Sequence, residues 1–189
     1  MKHIGILGGT FDPPHIGHLM IAEEVRFALK LDEIWFVPTA DPPHKRTAHA
    51  TSKERIEMVR LMTEDEPAFN INSIEVNRGG TSYTYETLNE FKKLFPNDQF
   101  YFIIGADMVE YLPHWYKIDE LMKLVTFVGV KRSGYTLNTS YPIKTVDVPV
   151  FEVSSSDIRK RIRTGRPVKH LVCESVYSYI KERRLYEPR

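Results

Sequence analysis

Short, unbroken apolar runs alternate along this chain with stretches whose apolar positions recur every three or four residues. The runs Ile4–Leu7, Ile34–Val37, Phe100–Ile104 and Val125–Val130 have the continuous apolar character of strands covered on both faces, which is typical of parallel sheets. Phe69–Val76 alternates roughly and reads as a third strand; Lys144–Val148 reads as the last. Helical spacing fills the intervals. A first helix is predicted from about His18 to Lys30, with Ala22, Val25 and Leu29 on one face. Thr51 and Glu54 form a capping box for a second, with Ile56, Val59 and Met62 inward. Tyr85, Leu88, Phe91 or Lys92, and Phe95 set the inner face of a third, stopped by Pro96-Asn97. Shorter helices follow at Asp119–Leu124, from the Ser154-Ser155-Ser156-Asp157 cap to Thr164, and at Glu174–Arg183. Thr39–Ala50, the stretch holding Pro113-His114-Trp115-Tyr116, and 131–143 read as loops.

Strands alternating with helices predict a Rossmann-like α/β fold: one domain over 1–189, a central, mainly parallel sheet and helices on both faces. In such folds ligands sit beyond the carboxyl ends of the strands. The segments after the predicted strands therefore carry the candidate chemistry. These are the glycine turn, the proline loop, Gly105-Ala106-Asp107 and the serine cap.

Charge narrows the partners. Lys+Arg 26 against Asp+Glu 25 leaves a net charge of +1, so no global field draws the protein to nucleic acid and phosphate recognition has to be local. The single cysteine, Cys173, cannot form an internal disulfide, which favours a reduced, cytoplasmic setting. No stretch approaches the roughly 18–20 apolar residues that cross a bilayer.

The most informative stretch is Gly8-Gly9-Thr10-Phe11-Asp12-Pro13-Pro14-His15-Ile16-Gly17-His18. It joins a strand to a helix start through a glycine turn. Glycines let backbone N–H groups approach an anion, and the first helical turn offers unpaired donors at the positive end of the helix dipole. His15 and His18, three apart, share one helix side. They suit phosphate contact. A metal pair lacking an evident third ligand, or two histidines satisfied as caps or in the core, are the alternatives. The spacing of Gly5, Gly8 and Gly9 is neither a dinucleotide fingerprint nor a P-loop, which disfavours an NAD-dependent oxidoreductase. Near the other end, Ser154-Ser155-Ser156-Asp157-Ile158-Arg159 is either an ordinary cap on a basic helix or a second phosphate site, with Arg159 as a charge-assisted donor.

The eleven-residue stretch resembles the nucleotidyltransferase superfamily signature built on His-x-Gly-His, and the serine segment resembles that superfamily's Ser-Ser-x-x-Ile-Arg element. Pro42-Pro43-His44-Lys45, Ser82-Tyr83-Thr84, Ile104-Gly105-Ala106-Asp107, Trp115-Tyr116 and Leu185-Tyr186-Glu187 extend the similarity over nearly the whole chain. Together they look like bacterial nicotinate-nucleotide adenylyltransferase. One departure is Thr39, where that family often has Asn.

The resemblance implies transfer of AMP from ATP to nicotinate mononucleotide, with release of pyrophosphate, in NAD biosynthesis. It implies that His15 and His18 steady charge at the α-phosphate, and that Gly8, Gly9, Thr10 and Phe11 hold ATP. Ser155, Ser156 and Arg159 would grip its outer phosphates, with the C-terminal part from about residue 154 completing that site. Lys45 and His44 would reach in from the proline loop. Gly105 and Asp107 would address the adenosine end, and Thr84, Trp115 and Tyr116 the pyridine, although Trp115 taken alone better suits a core position. Mg²⁺ would arrive on the ATP phosphates with few protein ligands. The alternatives are nicotinamide mononucleotide or another phosphate acceptor, or a non-catalytic nucleotide sensor. Exposed Tyr and Phe would suit a homodimer contact.

Overall fold

The computed structural model describes residues 1–40, 48–132, 137–149 and 152–188. Six strands form one sheet: β1 (His3–Gly9), β2 (Glu33–Pro38), β3 (Phe69–Ile71), β4 (Gln99–Gly105), β5 (Thr126–Arg132) and β6 (Lys144–Val148). Their order is β3-β2-β1-β4-β5-β6, and every neighbouring pair is parallel. Leu7 lies opposite Phe36 on one side and Ile103 on the other. From β1 the chain winds outward through β2 and β3, then returns to lay β4 on β1's free side. That reversal opens a crevice beyond the carboxyl ends of β1 and β4.

The unbroken runs split residue by residue between the two faces, as period-2 side-chain geometry requires. Ile4, Ile6, Trp35, Val37, Phe100, Phe102 and Ile104 enter one core. Leu7, Ile34, Phe36 and Ile103 enter the other. The first core lies under α4 (Thr84–Leu94), α5 (Ala106–Tyr111) and α6 (Ile118–Leu124), through Leu88, Phe91, Val109, Ile118 and Leu121. The second lies under α1 (Ile16–Leu29), α2 (Ser52–Thr63), α7 (Ser155–Arg163) and α8 (Glu174–Glu182), through Ala22, Val25, Met58, Val59, Ile158, Val176 and Ile180. Burying each such side chain contributes about 1.5–3 kcal/mol, so both helix layers are held firmly.

Four sequence expectations are corrected. The third strand stops at Ile71, and α3 (Ile74–Arg78) replaces its second half. Asn72 ends the extended run by accepting the Ile74 N–H on Oδ1 at 3.0 Å, a local bond that competes with the ladder. Residues 106–114, read as turn and loop, form α5 and a 3-10 turn at Leu112–His114. The first helix begins at Ile16, so His15 is its N-cap. On α2 it is Arg55 and Met58, with Val59 and Met62, that are buried, whereas Ile56 is only half-buried. The capping box of Thr51 and Glu54 is present, as is the Ser154 cap, whose Oγ accepts the Asp157 N–H at 3.1 Å. Among the described residues no helix is long and apolar enough to cross a membrane.

Candidate active site

The loop leaving β1 is shaped by one side chain that turns inward and one that ties segments together. Phe11 adopts φ +51°, a left-handed conformation that a bulky residue adopts only when packing holds it there. Its ring is buried, edge-on to His18 at 4.9 Å and tilted against Phe36 at 5.9 Å. A Cβ at Gly9 would stand 3.1 Å from that ring, so glycine is what lets the loop fold over it. Phe11 therefore supports the site from below, leaving its backbone toward the loop.

Asp12 follows, 3% exposed. Its Oδ2 accepts the His49 N–H at 2.7 Å, and its Oδ1 accepts the Ala50 N–H at 3.0 Å and the Tyr186 hydroxyl at 2.8 Å. Arg159 Nη1 donates to the Asp12 carbonyl at 2.6 Å and stands 3.8 Å from Oδ2. Ser155 Oγ donates to the Pro13 carbonyl at 2.8 Å. One carboxylate and its adjoining backbone thus join the glycine loop to the start of α2, to α7 and to the chain's last turn.

Pro14 leads to the histidines. The His15 and His18 rings stack, centroids 3.8 Å apart at 27°. His18 Nδ1 accepts the His15 backbone N–H at 3.1 Å. A ring nitrogen that accepts carries no proton, so the N–H of His18 is on Nε2. His15 is 8% exposed, and burial lowers its pKa from 6.5 to about 4. It is a neutral imidazole at pH 7. Its Nδ1 is buried; the His15 side chain sits in capping-box position toward the His18 backbone N–H without a full hydrogen bond there. Between them, Gly17 gives the His15 ring room: a Cβ there would lie 2.8 Å from Val153 Cγ1 and 3.1 Å from His15 Nδ1.

The N-terminus of α7 faces this loop. Ser155 is committed to Pro13, while Ser156 Oγ accepts Arg159 Nη2 at 3.3 Å. Arg159 is only 16% exposed, and its buried Nε has no partner among the described residues. The two segments that carry the family signature, nearly 140 residues apart, are therefore in direct contact.

Across the crevice, Gly105 caps α5 and Asp107 sits in its first turn. A Cβ on Gly105 would meet Asp107 Oδ1 at 2.8 Å, so the carboxylate is folded back over the glycine at the end of β4. Thr84 opens α4. Its neighbours Tyr83 and Tyr85 both meet the ring of Tyr116, at 5.3 and 6.1 Å, bringing Thr84 and Tyr116 together. Trp115 is half-buried, edge-on to Phe102 at 5.9 Å and Phe127 at 6.0 Å. Two predicted site residues, His44 and Lys45, lie outside the described residues.

Three further residues escaped the sequence reading. Asp12 was quoted without a role. Arg55, 1% exposed, donates from Nη1 to the Thr10 carbonyl at 2.7 Å and from Nη2 to the Thr39 carbonyl at 2.8 Å. It clamps the ends of β1 and β2, and the signal was an arginine on the inner face of an apolar helix. Glu75 is buried, and its carboxyl is pushed up by burial, partly offset by the Ser82 and Thr87 hydroxyls. Thr87 Oγ1 donates to Glu75 at 2.8 Å and Ser82 Oγ accepts the Ala40 N–H at 3.1 Å, so this polar group braces the α4 entry against the end of β2. Among the described residues no three His, Cys, Asp or Glu side chains group as a metal site. Asp12, the carboxylate nearest the loop, is already taken by donors.

A doubly wound parallel sheet whose switch-point crevice holds a glycine loop, paired histidines and a serine-capped helix defines an α/β nucleotidyltransferase. The cytidylyltransferase-like family model matches residues 6–161. The chain is 51% identical over 188 residues to nicotinate-nucleotide adenylyltransferase of Bacillus subtilis, covering 99% of this chain and 100% of that one. It is 51% identical over 186 residues to the probable nicotinate-nucleotide adenylyltransferase of Oceanobacillus iheyensis, covering 98% and 97%. The fold is shared with Plasmodium falciparum nicotinic acid mononucleotide adenylyltransferase complexed with NaAD, at TM-score 0.84, 23% identity and 98% coverage of each chain. The chain belongs to the nicotinate-nucleotide adenylyltransferase family.

Proposed function

We propose that the chain joins ATP to nicotinate mononucleotide, giving nicotinate adenine dinucleotide and pyrophosphate for NAD synthesis. A phosphate oxygen of the mononucleotide attacks the α-phosphorus in line. The new bond is that P–O bond; the one that breaks links the α-phosphorus to the β-phosphate, which departs with the γ-phosphate. The nucleophile is already ionised at neutral pH, so positioning and charge stabilisation carry the catalysis.

The observation that carries this reading is the docking of α7 onto the histidine loop, Ser155 on Pro13 and Arg159 on Asp12. His18 donates from Nε2 to the α-phosphate as charge develops. His15, held neutral by burial, acts as a polar donor, with its buried Nδ1 oriented by the stack. Gly8, Gly9 and Thr10 line the phosphate path, and Ser156 and Arg159 meet the outer phosphates. The C-terminal part from about residue 154 thereby completes the ATP site. Gly105 and Asp107 serve the adenosine end. Mg²⁺ enters as the Mg-ATP chelate, held chiefly by substrate oxygens. Thr84, Trp115 and the Tyr116 backbone receive the pyridine and its carboxylate, an aromatic face beside hydroxyl and amide donors. His44 and Lys45 approach the phosphates from the proline loop. Cytoplasmic residence agrees with the free thiol of Cys173.

The test is pyrophosphate release from Mg-ATP with nicotinate mononucleotide and, separately, nicotinamide mononucleotide. Release with the acid form, at a higher kcat/KM than with the amide, is the expected result. No release with either acceptor overturns the reading, and preference for the amide overturns the choice of substrate.

A further inference from the structure

We infer that Tyr186 is a positioning residue for ATP, acting through Asp12 to keep Arg159 available to the nucleotide. The inference rests on the proposed adenylyl transfer.

Asp12 presents two carboxylate oxygens in a site 3% exposed. A buried carboxylate is tolerable only when donors satisfy it. Oδ1 has two donors, the Ala50 N–H and the Tyr186 hydroxyl. Oδ2 has the His49 N–H, with His49 Nδ1 at 3.4 Å. The nearest guanidinium, Arg159, is bonded to the Asp12 carbonyl instead, and its Nη1 is still 3.8 Å from Oδ2. That geometry is a choice between donors. With the tyrosine hydroxyl present, that hydroxyl and two amides make the close bonds to the carboxylate, while the His49 ring and Arg159 stand further off beside Oδ2. Without it, the carboxylate loses one of its donors, and the nearest cationic donor is Arg159, 3.8 Å from Oδ2, which would be drawn closer since charged donors bond carboxylates about twice as strongly as neutral ones. Arg159 would then be drawn into a buried pair and away from the crevice.

Tyr186 is built for this. Burial and the neighbouring Asp12 push its hydroxyl well above the ordinary tyrosine range, so it remains a donor at any physiological pH. It adopts φ +67°, a conformation that an L side chain adopts at a cost and that the packing of the tail must hold. The partly buried ring packs against the α1–α2–α8 core, so Tyr186→Phe keeps the packing and removes only the hydroxyl.

The experiment measures steady-state kinetics and calorimetric ATP binding for wild type, Tyr186→Phe and Val176→Ala. Val176, fully buried in α8, supplies a destabilised variant that leaves every hydrogen-bond donor of Asp12 in place. The expected result is a rise of roughly tenfold in KM and Kd for ATP in Tyr186→Phe, the size of one lost hydrogen bond to a charged group. Its kcat and its KM for nicotinate mononucleotide should stay within about twofold, and Val176→Ala should bind ATP normally despite a lower Tm. Unchanged ATP affinity in Tyr186→Phe, or an equal loss in Val176→Ala, overturns the inference. If wild type releases no pyrophosphate, the proposed reaction fails, and ATP binding by calorimetry still decides the role of Tyr186.

Discussion

His15 and His18 stand ring on ring, 3.8 Å between centroids, with the backbone N–H of the first bonded to Nδ1 of the second. Two cationic imidazoles could not share that spacing cheaply in a partly buried place. Burial resolves the conflict by keeping His15 neutral. The pair is therefore unequal: one ring is buried and the other only half-buried.

If His18 donates to the transition state, His18→Ala lowers kcat by about 10²–10³, as for loss of one oxyanion donor. The KM for ATP should change by far less. Initial rates at saturating Mg-ATP and acceptor make the comparison, and a near-normal kcat removes His18 from the chemistry.

The neutral His15 gives stability a defined pH dependence. Its folded pKa, about 4, lies below the ordinary 6.5, so between those values the unfolded chain binds more protons. Stability therefore rises with pH across that window and is complete above it. Falling from 6.5 to 4, the loss from this group reaches about 3 kcal/mol. Urea unfolding of wild type and His15→Gln at several pH values isolates the difference. A difference that stays flat between pH 4 and 6.5 contradicts a buried neutral His15.

Gly17→Ala should be a helix-stabilising change by propensity, by up to about 1 kcal/mol. Here the new Cβ meets Val153 Cγ1 at 2.8 Å and His15 Nδ1 at 3.1 Å. The ring or the 152–154 segment must shift, and displacement of an oriented group by about 1 Å costs on the order of 10²-fold in rate. We expect kcat/KM to fall by about that factor while Tm changes little. Activity within threefold of wild type would show that the site absorbs the methyl.

Arg55 tests the clamp between β1 and β2. Arg55→Met retains the aliphatic volume but leaves the Thr10 and Thr39 carbonyls without their donor. Acceptors left unpaired in a buried setting cost about 1–3 kcal/mol each, so for these two part-buried carbonyls a total loss of about 2–6 kcal/mol is the expected range. Chemical denaturation measures it, and a loss below about 1 kcal/mol would mean that the carbonyls find other partners.

Much of this architecture was legible because its signals are local. Unbroken apolar runs marked β1, β2, β4 and β5, and side-chain caps at Thr51 and Ser154 marked two helix starts. The start of β3 was legible but its end was not, and the five-residue α3 and six-residue α5 were not legible, since neither is long enough to display a period. The histidine pair was visible as residue types, but its charge state depends on burial, which is a property of the fold. Arg55 and Asp12 were missed for a related reason. A sequence shows that a charged residue is present; only the fold shows which carbonyls and amides it reaches. Asp12 finds its side-chain partners 37, 38 and 174 residues away.

Those separations also order events in time. Closing a contact between positions 12 and 186 requires nearly the whole chain to be confined first, and loop-closure entropy delays contacts of such span until nearer pairings have formed. The β1–β2 and β2–β3 ladders join strands that lie within the first 71 residues, whereas α1 packs chiefly against β6 and α2 against α8. The carboxylate of Asp12 acquires its full set of donors only when the tail arrives. The β1–β2–β3 part of the sheet can thus form before the Asp12 loop is fully tied, and the state of that loop reports the arrival of the segment around Tyr186.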